Sequence, residues 1–296
     1  MRILFMKRQH LLFALAAVLV GFVLTNTQSS NAGSSISLEA LASKTHIHGI
    51  AVDSTDPTRL HLATHHGFYV LSADGSATRL SNNGNDYMGF TPHPNNPAVF
   101  YASGHPSQGG NTGFIQSLDG GRTWQQLSAG VGGPVDFHQM DVSRVDPNII
   151  YGVFRGLQVS EDGGNTWQMA ARTPPKLFDL AASANDTETL FAATQHGLLI
   201  TRNRGQSWKP AHFNQAPASM VQTASDGSVY AFVAGLGLLR SPDDSLRWTR
   251  LSNDFGNRYL LHLAIDLTNP DNLYAVTNTK EVLTSQDGGN TWKALK

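Results

Sequence analysis

The chain has 296 residues, 21 of them basic and 22 acidic, for a net charge of −1. It has no cysteine, which excludes disulfide staples, thiolate metal sites, cysteine nucleophiles and a blue-copper centre. Charged residues make up only 15% of the chain and form no basic patch, so nucleic acid is not an expected partner.

Residues 1–32 read as a secretory signal peptide. A basic leader ("MRILFMKRQH") precedes an apolar run of 14 residues ("LLFALAAVLVGFVL") and a polar tail ("TNTQSSNAG"), with Ser30 and Ala32 suited to cleavage after Ala32. Losing Arg2, Lys7 and Arg8 leaves 18 basic against 22 acidic residues, a net −4. The expectation is an exported protein, periplasmic or secreted, with no membrane span after cleavage. Residues 33–45 follow as a linker or edge strand, and residues 46–296 as one domain.

Repeats set the architecture of that domain. "SLDGGRTW" (117–124), "SEDGGNTW" (160–167) and "SQDGGNTW" (285–292) are nearly one octapeptide. Weaker copies are "TRNRGQSW" (201–208) and "SPDDSLRW" (241–248), and an eroded one without tryptophan is "SADGSATR" (72–79). All five tryptophans of the chain close a copy. The physical sense is a β-hairpin, in which the Asp-Gly-Gly turn supplies positive φ and the indole covers the return strand. Upstream of each octapeptide lies an apolar strand, a turn and another strand. "HGIAVDSTDPTRLHLAT", "MGFTPHPNNPAVFYASG", "HQMDVSRVDPNIIYGVF" and "LHLAIDLTNPDNLYAVT" superimpose without a gap through fourteen positions. Two decayed copies fit between the third and the last. Six such units of about four strands predict an all-β fold, a six-bladed β-propeller with almost no helix. A seventh blade would have to combine residues 36–44 with the C-terminus.

The octapeptide pattern S-x-D-x-G-x-T-W resembles the Asp-box, or BNR, repeat of sialidases, sortilin-type receptors, xyloglucanases and a photosystem II assembly factor. "HIHGIAVD", "ATHHG", "MGFTPHP", "ASGHP" and "VDFHQM" are similar to a bacterial exported family labelled sialidase-like or glycosyl hydrolase-like. The resemblance covers the whole mature chain and implies the propeller. The boxes lie on outer hairpins, so they specify fold and leave chemistry open.

The histidines carry the chemistry. In the repeat alignment His48, Met88 and His138 share one position in blades 1 to 3, and His46, Asp86 and Asp136 stand two residues earlier. Ile50, Phe90 and Met140 come two residues later, and strict alternation places all of these on one side of their strands. The ends of the second strands add His65, with His66 beside it, His105, Arg155 and Gln195. Six of the eleven mature histidines thus converge on one rim from three consecutive blades, while the opposite blades offer Phe178 and Leu261. His61, His93, His196, His212 and His262 fall outside this arrangement and read as structural or surface residues.

Imidazole with thioether suits copper, whereas imidazole with carboxylate suits zinc or iron. The expected ligands are His48, Met88, His105 and His138. His65 and Met140 stand in reserve, and His46, His66, Asp86 and Asp136 stand behind them, orienting the rings. This favours an exported, monomeric copper-binding propeller for metal handling or tolerance, with zinc or iron as alternatives. Catalysis stays open, as a glycoside hydrolase or a copper-dependent oxidase. A sialidase would need an arginine triad, and Arg155 is the only arginine placed at the rim. A different glycosidase could use Asp86 and Asp136 as its carboxylate pair. A third reading is a scaffold that binds a protein or a glycan.

Overall fold

The computed structural model describes residues 35–242 and 245–295. The leader expected over residues 1–32 lies outside the described residues. Six antiparallel sheets form a six-bladed β-propeller, and in each sheet four successive strands run in chain order from the channel outward. The innermost strands are Ile47–Val52, Met88–Pro92, Gln139–Val142, Leu177–Ala182, Ala218–Thr223 and Leu260–Ile265. Each packs against the next, and the sixth packs against the first, which closes the ring.

The octapeptides explain why the blades hold their spacing. In residues 117–124, Asp119 accepts hydrogen bonds from the Arg122 and Thr123 amides and the Thr123 hydroxyl, while Ser117 Oγ accepts from Gly121 N at 2.8 Å. Residues 160–167 and 285–292 repeat the same network. Gly121 has φ +87°, and a side chain there would collide with the Phe68 ring of the preceding blade. The tryptophan that ends each copy packs into the seam with that preceding blade. Trp124 lies 4.8 Å from Tyr87 and 5.4 Å from Phe68, and Trp167 lies 5.2 Å from Phe114. Trp208, Trp248 and Trp292 occupy the next three seams. Such aromatic packing contributes both area and directional ring contacts.

The seam between blades 6 and 1 has no tryptophan, because the first octapeptide lacks one. It is closed by a feature not expected from the repeats, the helix Leu38–Lys44, the one helix among the described residues. Ser37 caps it by accepting from Ala40 N, and Leu38 and Leu41 bury themselves beside Ile50, Leu62, Val276 and Val282. The preceding strand Ile36–Ser37 pairs with Ser76–Arg79 as a fifth strand of blade 1, so residues 36–44 do not begin a seventh blade.

In five blades the first strand pair contains a bulge. The register shifts between Ile47 and Gly49, Met88 and Thr91, Leu177 and Asp179, Ala218 and Met220, and Leu260 and His262. A bulge adds an unpaired residue and reverses the facing of every side chain beyond it. Strict alternation therefore fails at Ile50, which packs with Ile47 in the seam core instead of facing the rim with His48.

Candidate metal centre

Two three-residue clusters form at the rim of the channel, where the innermost strands begin. His48, His65 and Asp86 make the first, and His105, Asp136 and His138 the second, with the ligand atoms of each set within 4.8 Å of one another. The fold brings them together through the strand pairing. His65 N donates to His46 O at 3.1 Å, and Asp86 N donates to His105 O at 2.9 Å, so the end of each second strand lies beside the entry to a first strand.

In the first cluster His65 Nδ1 lies 2.8 Å from Asp86 Oδ2, whereas His48 Nε2 lies 3.6 Å from Asp86 Oδ1. Both atoms of the longer pair are buried and neither has a hydrogen-bond partner. In the second cluster Asp136 Oδ2 is shared by His138 Nε2 at 2.7 Å and His105 Nε2 at 3.1 Å, while the other nitrogen of His105 lies 2.7 Å from Gly110 O. Asp136 Oδ1 is buried without a partner.

Electrostatics separate the two clusters. Burial pushes His48 down to about 3, and the neighbouring His262, His65, His46 and His138 push in the same direction. His48 is therefore a neutral ring with a free lone pair at neutral pH. His138 is raised above its ordinary value, chiefly by its hydrogen bond to Asp136. Burial raises Asp86, opposed by the charges of His65, His105 and His138, so the two clusters feel one another.

The remaining sequence candidates fall around this centre. The His46 ring stacks 6.4 Å from that of His48. His66 Nδ1 lies 3.2 Å from Thr45 Oγ1 and belongs to neither cluster. Met88 is buried opposite Ser103 on the inner strand of blade 2. Met140 stands apart from the expected ligands. It packs with Val135, Phe137 and Val142 in the core between blades 2 and 3, because the facing inferred by counting two residues from His138 does not survive the entry to that strand. Of the histidines set aside as structural, His61 packs on Phe68 and Phe100, and His93 and His212 each accept a hydrogen bond from the amide two residues on. His262 is different. It is held near 4 by burial and lies close enough to His48 to depress it. The repeat pattern does not single it out, since its neighbours on that strand are leucines.

No family model matches the chain, and no curated protein matches it. Solved structures do, as folds. The GH74 enzyme of Niastella koreensis is 17% identical over 84% of this chain with a TM-score of 0.61, and the chain spans 45% of that enzyme's length. YCF48 bound to a D1 peptide is 17% identical over 84% of this chain and 82% of its own, with a TM-score of 0.52. A gluconolactonase from Xanthomonas campestris, XC5397, is 13% identical over 81% of this chain and 86% of its own, with a TM-score of 0.62. At these identities the likeness establishes the β-propeller, on which enzymes and a peptide binder alike are built.

Proposed function

We propose that this protein binds a first-row divalent metal ion at the channel rim, with His48, His65 and Asp86 as its primary ligands. The observation that carries the reading is the unpartnered pair His48 Nε2 and Asp86 Oδ1, 3.6 Å apart and buried. Two buried polar atoms left facing each other at that separation are costly unless something lies between them. Two ligands of one tetrahedral ion, each about 2.1 Å from it, stand about 3.4 Å apart. His105, Asp136 and His138 supply a second, more strongly hydrogen-bonded set of the same composition.

The donors of the two clusters are four imidazoles and two carboxylates. That chemistry suits zinc, iron or copper(II). The sequence-based preference for copper leaned on two thioethers. With Met140 in the core, Met88 is the one rim position left for sulfur, which weakens the case for copper(I) in particular. A role in metal handling outside the cytoplasm fits an exported chain with this site. A glycosidase pair is less favoured, because Asp86 and Asp136 each already stand between two imidazoles.

Elemental analysis of the purified protein after loading with zinc or copper and desalting tests the reading. About one retained equivalent, rising toward two at saturation, is expected. His48→Ala combined with His65→Ala should abolish the tighter binding. Wild-type protein that retains no metal under any loading condition overturns it.

A further inference from the structure

The channel mouth holds a cavity of about 750 Å³ between blades 4, 5, 6 and 1. The bulges of the inner strands build it. The residues at the bulges of blades 4, 5, 6 and 1 are Phe178, Ser219, Leu261 and His48, and all four line the cavity. A bulge re-aims a side chain that regular pairing would direct elsewhere. Four blades doing so toward one space make a built pocket of the size that small organic ligands occupy.

The walls specify the ligand. Phe178 and Tyr259 are 46% and 44% exposed, unusual for rings of this size, and both face this cavity. Polar side chains are a minority of the lining, with Asn253 and Asn257 its two amides. Ser219 Oγ donates to Leu260 O, and Arg258, the one charged lining residue, is held by Glu281 at 3.3 Å and by Phe255 O. A polyanion would find no free cation to receive it. Three imidazoles, those of His46, His48 and His262, also line it. His48 belongs to both the cavity and the first metal cluster.

We infer that this cavity binds a small molecule with an aromatic or alicyclic body, seated against Phe178, Tyr259 and Leu261, and an oxygen donor at one end that coordinates the metal ion beside His48. The oxygen-donor half of the inference rests on the metal reading above. The apolar half rests on the cavity alone.

Fluorescence titration with 2-naphthoate, and with naphthalene as the same body lacking the oxygen donor, separates the two halves. Both zinc-loaded and metal-free protein are titrated, alongside Leu261→Trp, which pushes an indole into the space for the ligand body, and Tyr259→Ala, which removes one wall. Zinc stoichiometry is measured on each sample. The expected result is a single naphthoate site at least tenfold tighter with zinc, with naphthalene unaffected by zinc. Binding of both compounds should fall at least tenfold in the two variants while zinc stoichiometry is unchanged. Zinc binding with no site for either compound overturns the inference and leaves the metal reading standing. Variants that both bind naphthoate as the wild type does overturn it in the same way. If zinc does not bind but both compounds do, and are lost in the variants, the oxygen-donor assignment falls together with the metal reading.

Discussion

The two rim clusters have the same composition and different internal states. Each pairs an aspartate at the entry of one blade with the histidine ending the second strand of the blade before it, Asp86 with His65 and Asp136 with His105. The third member comes from opposite directions. His48 reaches forward from the preceding blade, while His138 stands on the same blade as its aspartate. The forward reach stops at 3.6 Å, and the local contact closes to 2.7 Å. One cluster is left with two orphaned atoms facing each other, whereas in the other both imidazoles converge on Asp136 Oδ2 and Asp136 Oδ1 alone is without a partner. The lesson is that a repeat can present one ligand set twice, once open and once drawn together on a single carboxylate oxygen.

The largest expected effect follows from that difference. Asp86→Ala removes the carboxylate from the open cluster and should weaken the tighter metal equivalent at least hundredfold. Asp136→Ala should cost that equivalent roughly tenfold or less, in line with a group acting through its neighbours. Isothermal titration with zinc measures both, and equal losses would erase the distinction between the clusters.

A second expectation uses the proton as competitor. His138 is raised above its ordinary value, so a metal at the second cluster must displace a proton as pH falls below neutral. His48 stays neutral down to about 3. Lowering the pH from 7.5 to 6 should therefore empty the second cluster first, leaving the first occupied. Elemental analysis across that range would show the reverse order if the assignment of the two clusters is inverted.

The pH dependence of the metal-free fold sharpens the comparison further. His48 and His262 are neutral in the folded protein down to about 3 and 4, while in an unfolded chain they would take a proton near 6.5. Between those values the unfolded state binds more protons, so stability is lost as pH falls below 6.5. Asp179, a half-buried carboxylate that accepts from the Val221 and Leu180 amides, behaves in the opposite sense. Burial pushes it up to about 7 from 3.8, so the folded state holds the extra proton and stability falls as pH rises from about 4 to 7. Each group can contribute at most about 1.4 kcal/mol per pH unit inside its window. Urea unfolding of His48→Gln should show a shallower acid loss, and Asp179→Asn a shallower loss toward neutrality. The smallest effect is expected at His66, whose ring binds Thr45 and neither cluster. His66→Ala should change zinc affinity less than threefold.

Much of this is legible in the sequence because the repeats carry their own register. The octapeptides mark hairpins by turn chemistry, and aligning the strands before them brings His65 and His105, and Asp86 and Asp136, to equivalent places. What alternation cannot supply is the bulge. A single unpaired residue after Ile47 sends Ile50 into the seam, and Met140 likewise ends in a core. The same bulges aim Phe178 and Leu261 at the cavity, so the error and the site have one cause. His262 is silent in the sequence because its position becomes meaningful only when blade 6 meets blade 1. The helix Leu38–Lys44 does leave a trace. Ser37 is a good cap, and Leu38 and Leu41 stand one turn apart, a helical spacing hidden in a segment too short to show periodicity.

The closing seam has a further consequence. Many rings are sealed by a strand borrowed from the far end of the chain, but here each sheet's four successive strands are contiguous in sequence, and Ile36 and Leu295 both pack on the one seam that joins blade 6 to blade 1. Only the helix Leu38–Lys44 and the short strand before it mark that seam as the place where the propeller begins. A circular permutant joined across that seam and reopened between blades 3 and 4 would leave every sheet, both histidine–aspartate clusters and the cavity uncut.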